Sequence, residues 1–391
     1  MNGLTTEALA LFNYTRALRR DFHQHPELGF HEVRTAGIVA RELAALGMEV
    51  RTGVAQTGVV ALLVGEKPGP VVLLRFDMDA LPIQEETGAE YSSCFPGLMH
   101  GCGHDAHTAI GLAVARLLSE RKNEISGTVK FMFQPAEEGM GGAPLMIEDG
   151  VLDNPKPDFA LAMHVWNDCP VGWLGISQGP VMAAAETLHV RVIGKGGHGA
   201  SPHQAVDPVL ATAHIITALQ GVVARNVAPL STAVVSVTTV HGGEAFNVIP
   251  KQVEFRGTIR SFDPGVRERT LQRVRQVIEG VAASMECKTE IELQSITPAV
   301  VNDASVTLKV QNVAARLYPD SEIATRYQTM GSEDMAFVLQ RIPGCFFFVG
   351  SANHEKGLDA PHHHPRFDVD EQVLPRAAAI MAGAALESLR G

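Results

Sequence analysis

Four short segments collect residue types that hold metals or move protons. Met99-His100-Gly101-Cys102-Gly103-His104-Asp105-Ala106-His107 sets a thiol between two glycines, two residues before an imidazole. Gln134-Pro135-Ala136-Glu137-Glu138-Gly139 brings adjacent carboxylates into a glycine-bounded turn. Met163-His164-Val165-Trp166 carries a histidine in an apolar run, and Pro361-His362-His363-His364-Pro365 holds three imidazoles between prolines. Thiolate, imidazole and carboxylate together suit borderline divalent metals such as Zn, Mn, Co or Ni. Adjacent glutamates are ordinarily exposed charge. After an apolar strand they suggest separate tasks, one carboxylate binding metal while its neighbour moves a proton. A single segment of this kind carries little weight; four in one chain are hard to explain by packing.

The elements around these segments alternate. Val39, Leu43 and Leu46 repeat at helical spacing before Gly47, and Ile110, Val114, Leu117 and Leu118 form a second amphipathic series. Val71–Leu74, Thr128–Gln134 and Phe159–Trp166 are apolar, strand-like runs, so most of the chemical residues fall just past or within strands of an α/β sheet. From about Glu186 the rhythm changes to strand Leu188–Ile193, helix Pro208–Val223, strands Ala233–Val240 and Gln252–Arg260, helix Val266–Met285 and strand Lys288–Leu293. That β-α-β-β-α-β order predicts a ferredoxin-like α+β unit inserted into the larger domain. Strand Phe346–Val349 and helix Pro375–Leu389 return to the first style. The expected domains are therefore 1–184 with 296–391, which carries the metal residues, and the insertion 185–295.

Composition narrows the function classes. The 391 residues are 46% hydrophobic and 19% charged, as in a packed soluble enzyme. Forty-three acidic against 32 basic side chains give a net charge of −11, which disfavours nucleic acid as a partner. The apolar runs read as too short for a membrane span, and Met1–Ala10 lacks the basic and apolar stretches of a secretory leader. Five cysteines are too sparse for a disulfide scaffold, and a reducing cytoplasm is expected. Gly194-Lys195-Gly196-Gly197-His198-Gly199 fits a dinucleotide fingerprint, but Pro202 follows closely and the next strand ends in Val240-His241-Gly242 without a ribose-binding acid. A P-loop and H-E-x-x-H are absent.

Nearly end to end, the chain resembles the dinuclear-metal amidohydrolases that include hippurate hydrolases, N-acyl-amino-acid amidohydrolases and auxin-conjugate hydrolases, with aminoacylases and metallo-carboxypeptidases as more distant relatives. The resemblance rests on the Cys102 and Glu137 segments and on Phe22–Phe30, Arg75–Pro82, Gly242–Pro250, Gly331–Asp334 and Pro365–Asp368. It implies a large mixed-sheet, metallopeptidase-like catalytic domain with an inserted lid and dimerisation domain. It also implies two divalent ions per subunit, held by Cys102, His104, Glu138, His164 and a C-terminal histidine. The family places that last ligand two residues before a proline, which selects His363 over His362 and His364.

The same resemblance puts the general base at Glu137, and Asp77 as an acid orienting a ligand histidine. His198 would reach the partner subunit's site to stabilise the oxyanion, and Asn247 and Arg260 would hold the substrate's carboxylate. The implied reaction is cleavage of an N-acyl amino acid, of hippurate or N-acetyl type, to a carboxylate and a free amino acid by a metal-activated water, in a homodimer or higher homo-oligomer. Dipeptidase or carboxypeptidase action on the same site is the alternative enzyme reading, and a catalytically silent metal-binding dimer is the alternative outside catalysis.

Overall fold

Val71–Leu74 lies inside the strand Lys67–Asp77, one of eight in a mixed sheet. The sheet order is Glu49–Val54, Gly58–Val64, Ser126–Gln134, Lys67–Asp77, Phe159–Pro170, Gly344–Ala352, Trp173–Gly175 and Glu322–Ala324. The four middle strands run parallel, and Gly58–Val64 and Trp173–Gly175 join them antiparallel. Parallel strands are buried on both faces, which is why these read as continuous apolar runs. This computed structural model describes residues 3–390.

The helices His104–Glu120 and Val373–Ser388 are buried along nearly their whole length and pack against each other and the sheet. The second begins at Val373, two residues before the expected start. Pro375 then sits in the first turn, where the missing N–H costs nothing. The expected Val39-Leu43-Leu46 helix spans Val33–Ala45, and Gly47 with φ 76° stops it.

Two compact units emerge, one of Met1–Val181, Val300–Gln328 and Asp334–Gly391, the other of Met182–Ala299 and Thr329–Glu333. The insertion therefore begins and ends a few residues outside 185–295. It also gains a short distant segment, because Ala183 N–H bonds the carbonyl of Gly331 at 2.8 Å and Met182 bridges Thr329.

The second unit has the antiparallel order Ala233–His241, Gln252–Ser261, Ala184–Ile193, Lys288–Thr297, the ferredoxin-like arrangement. Leu188, Val190 and Val192, two apart on one strand, pack with Ile215 and Leu219 of helix Pro208–Asn226 and with Val274 and Ile278 of helix Pro264–Ser284. Asp207 and Asp263 cap these helices by accepting backbone N–H bonds, and a proline fills the first helical position of each.

No helix opens at Gly199. Gly197–His198 instead pairs with Val248–Ile249, which removes the dinucleotide reading. Helix Pro208–Asn226 is long and apolar enough to cross a membrane by length and composition, contrary to the expectation that no segment would be, and only a third of it is buried.

Candidate metal centre

The middle strands deliver their ends to one place. Asp77 closes Lys67–Asp77 and pairs with Gln134, the last residue of Ser126–Gln134. The chain then turns at Ala136, which has φ 54°. A left-handed, non-glycine residue costs about 1–3 kcal/mol and persists only where its surroundings hold it. Here the Ala136 N–H donates to the buried Glu32 carboxylate at 2.9 Å, and its carbonyl accepts from Gly142 N–H at 3.0 Å. The turn presents Glu137 and Glu138.

The cysteine segment forms the entry to helix His104–Glu120. Gly103 has φ 86°, and a Cβ there would stand 2.4 Å from Cγ2 of Val165, so this turn needs glycine both for its conformation and for its close approach. The histidine-rich loop is stitched to the same turn, since His363 N–H donates to the Gly101 carbonyl at 2.8 Å. His363 is left-handed, with φ 65°. His362 lies inward, its Nε2 3.1 Å from the Val165 carbonyl.

Two donor sets share the cysteine. Sγ of Cys102 groups with His104 and His164, and again with Glu138 and His363, every donor atom within 4.8 Å of the others in its set. Cys102 Sγ lies 3.5 Å from His164 Nε2, and His363 Nε2 lies 3.3 Å from Glu138 Oε1. The structure thus brings together Cys102, His104, Glu138, His164 and His363, with Glu137 Oε2 at 3.9 Å from His104 Nε2. Backbone partners define the tautomers. His164 Nδ1–H donates to the Val165 carbonyl at 2.6 Å, and His104 Nδ1–H donates to the Asp79 carbonyl at 2.9 Å and carboxylate at 3.1 Å. In both rings Nε2 is the nitrogen left facing the cluster.

The donor set fits divalent cations. His104 Nε2 is buried without a hydrogen-bond partner, a costly arrangement unless a ligand meets it. Burial opposes charge on His104, but Asp77 and then Asp79 outweigh it and push its pKa up to about 10. Burial, Glu138 and Glu137 push the Cys102 thiol well above its usual range. A field that demands a positive charge at the imidazole and resists a thiolate is the field a divalent cation satisfies. Soft sulfur beside imidazole and carboxylate suits Zn, Mn, Co or Ni.

The acid behind His104 is Asp79, a correction to the expectation for Asp77. Asp79 is buried; one of its oxygens meets His104 Nδ1, and the other accepts the Glu138 N–H at 3.0 Å, so it steadies two of the clustered residues. Asp77 approaches His104 Nε2 only to 3.8 Å and is instead bonded to His107 Nδ1 and Arg75 Nη1, each at 2.6 Å. Arg75 continues to Asp334 at 3.0 Å, and Asp334 accepts from Gln134 and from Ala143 N–H, bracing the glutamate turn. Asp79 and His107 were not among the expected site residues. Their available signals were the Asp77-Met78-Asp79 repeat and the His104–His107 spacing on one helix face.

On the first turn of the same helix, Asp105 accepts from Arg19 Nε at 2.8 Å and meets His23 Nδ1 at 2.7 Å. Asp368 accepts from Arg19 at 2.6 Å and from Tyr91 at 2.8 Å. These groups are buried but paired, the condition under which buried charge is tolerated.

His198, Asn247 and Arg260 all lie in the second unit. The register aligns His198 with Val248, and Gly199 N–H donates to the Asn247 carbonyl at 2.8 Å, so His198 and Asn247 are neighbours on exposed backbone. Arg260, on strand Gln252–Ser261, donates to Ser332 Oγ at 3.0 Å. Burial pulls its pKa down, partly offset by Glu186.

The mixed sheet, the inserted antiparallel unit and a thiol–imidazole–carboxylate cluster at the strand ends define a metal-dependent hydrolase. Peptidase family M20/M25/M40 matches residues 73–387, and the chain belongs to that family. It is 41% identical over 366 residues to the N-acetylcysteine deacetylase of Bacillus subtilis, covering 93% of this chain and 94% of that protein. It is 40% identical to the IAA-amino acid hydrolase ILR1-like 4 of Arabidopsis thaliana, covering 97% of this chain and 86% of the plant protein. Among solved structures, the Bacillus subtilis YXEP protein, a dinuclear metal binding peptidase from the M20 family, aligns at TM-score 0.85 with 37% identity, covering 97% of this chain and 99% of the other. The chain is accordingly an enzyme of the metal-dependent M20 amidohydrolases.

Proposed function

We propose that this enzyme hydrolyses the amide bond of N-acyl amino acids, releasing a carboxylate and a free amino acid. Two divalent ions would be held by Cys102, His104, Glu138, His164 and His363. The observation that carries the reading is the sharing of Cys102 Sγ by two donor sets with a second glutamate, Glu137, beside them. Relatives named as a deacetylase and an amino acid hydrolase support the acyl-amino-acid class. Bound divalent ions would supply Lewis-acid polarisation of a water and of the amide carbonyl. Glu137 takes a proton from the attacking water and delivers it to the departing amine.

On the second unit, the Ala200 N–H donates to His198 Nδ1 at 3.0 Å, so a neutral His198 carries its proton on Nε2 and can donate it to an oxyanion. Asn247 and Arg260 offer amide and guanidinium donors for the substrate's carboxylate.

A second copy of the chain is the proposed partner. Strand Ala233–His241 is an edge strand whose outer half is exposed, and Val209, Leu210, Leu230, Val240 and Phe246 of the same unit expose apolar surface.

The test of the activity is a hydrolysis screen of N-acetyl, N-benzoyl and longer N-acyl amino acids, with free-amine dipeptides alongside, after loading with each candidate metal. Cleavage of the acylated set is expected. Cleavage confined to dipeptides would replace this reading with a dipeptidase.

A further inference from the structure

The strand carrying His164 loses a neighbour just before that residue. Its pairing with Lys67–Asp77 joins Val72–Arg75 to Phe159–Ala162 and goes no further. On the side that faced Lys67–Asp77, the backbone beyond Ala162 must find other partners, because a buried unpaired peptide group is costly. The partner found is a side chain. Val165 N–H donates to His107 Nε2 at 2.9 Å.

That single bond settles the ring's protonation. A backbone N–H can only donate, so His107 Nε2 carries no proton, and its Nδ1–H is the group that donates to Asp77 Oδ1 at 2.6 Å. Both nitrogens of His107 are thereby used, which excludes it as a metal donor although it lies close to His104. The other end of the same peptide unit's residue is equally occupied. The Val165 carbonyl accepts from His164 Nδ1 at 2.6 Å and from His362 Nε2 at 3.1 Å. His362 precedes His363, whose own N–H is tied to Gly101 beside Cys102.

We infer that His107 is a positioning residue of the metal centre, holding the Val165 backbone so that its carbonyl orients His164 directly and the His363 loop through His362. Asp77 serves this arrangement by keeping His107 in the Nδ1–H form. The inference rests on the proposed ligand roles of His164 and His363. It differs from a simple packing role because the acceptor atom at the Nε2 position, and not the volume of the ring, is the part that matters.

The experiment compares cobalt(II) affinity, by chelator competition, and the visible spectrum of the cobalt-loaded protein across the parent, His107→Asn, His107→Gln and His164→Ala. Asparagine can still reach Asp77 but offers no acceptor to Val165, whereas glutamine places an amide oxygen near the former Nε2. Expected is a loss of about 10- to 100-fold in affinity with an altered spectrum for His107→Asn. His107→Gln should stay within a few-fold of the parent and retain its spectrum.

Parental affinity and spectrum in folded His107→Asn would overturn the inference, as would equal losses in both His107 variants. An unchanged His164→Ala would overturn the ligand reading and this inference with it. A weakened His164→Ala beside a parental His107→Asn would overturn the inference alone. Should His107→Asn not fold, nitrogen-15 spectra of the parent's histidine rings decide, with His107→Gln assigning the signal. An Nε2–H tautomer at His107 refutes the assignment, and an Nδ1–H tautomer with a shielded, hydrogen-bonded Nε2 sustains it.

Discussion

The sulfur of Cys102 and Nε2 of His164 face each other at 3.5 Å, although 62 positions separate the two residues in the chain. Cys102 also stands with Glu138 and His363, so one sulfur is common to both donor sets. Replacing Cys102 by serine exchanges a soft, readily metallated donor for a hard, weakly acidic one. Metal affinity of Cys102→Ser is expected to fall by more than about 100-fold, the upper end of what loss of a supporting partner costs. Metal titration followed by calorimetry measures it; unchanged stoichiometry and affinity would remove Cys102 from the centre.

Glu137 and Glu138 are adjacent yet assigned different work. Glu137→Gln keeps the side chain's shape and deletes only its ability to accept a proton. Turnover is expected to drop by about a hundred- to ten-thousand-fold, while metal content by elemental analysis remains that of the parent. Glu138→Gln should lose metal as well as turnover. Full activity in Glu137→Gln would leave the base unassigned.

His23 makes stability depend on alkaline pH. Burial opposes its protonation, but Asp105 outweighs that effect, and its pKa is pushed up to about 9. The unfolded chain titrates near 6.5, so the fold favours the protonated ring. This contribution is fully present below about pH 6.5 and is lost as pH rises toward 9; it is on the order of 3 kcal/mol. Glu85, near His23 Nε2, is held down to about 2 and stays ionised throughout that window. The thermal midpoint of the parent should fall between pH 6.5 and 9, and that of His23→Gln should fall less. Equal slopes in the two proteins would dissociate His23 from the effect.

Self-association is testable at Leu210, which is exposed on helix Pro208–Asn226. Light scattering of the parent should give a mass near twice 41.9 kDa. Leu210→Glu would bring a lone carboxylate to an apolar contact, at a cost of several kcal/mol, and should shift the mass toward one chain. A parent that runs as a single chain at micromolar concentration would refute the pairing.

Much of this molecule was legible in its residues, for local reasons. The parallel strands announce themselves as unbroken apolar runs, and the second unit by its β-α-β-β-α-β order. Cys102 and His104 are readable because two residues in a glycine-bounded turn keep them together. The edge strand Glu49–Val54 was not, since it buries only Val54 fully and so shows no apolar signature. Asp79 was mistaken for its neighbour because both acids follow one strand, and only the path of the chain past His104 separates them. His107 escaped notice because its task depends on where two strands stop pairing, a fact held in no single segment. Its neighbour in space, Val165, contributes only backbone atoms to these bonds, which a side-chain reading cannot see.

Gly103 has a bearing on how this sequence can drift. The space its missing side chain leaves is filled by the Val165 methyl. Any larger residue at position 103 would have to tolerate the left-handed backbone and would meet that methyl head-on. Growth at 103 consequently requires a smaller side chain at 165 first, whereas shrinkage at 165 requires nothing of 103. The reverse order sets a Cβ 2.4 Å from that methyl, so that one of the two must move.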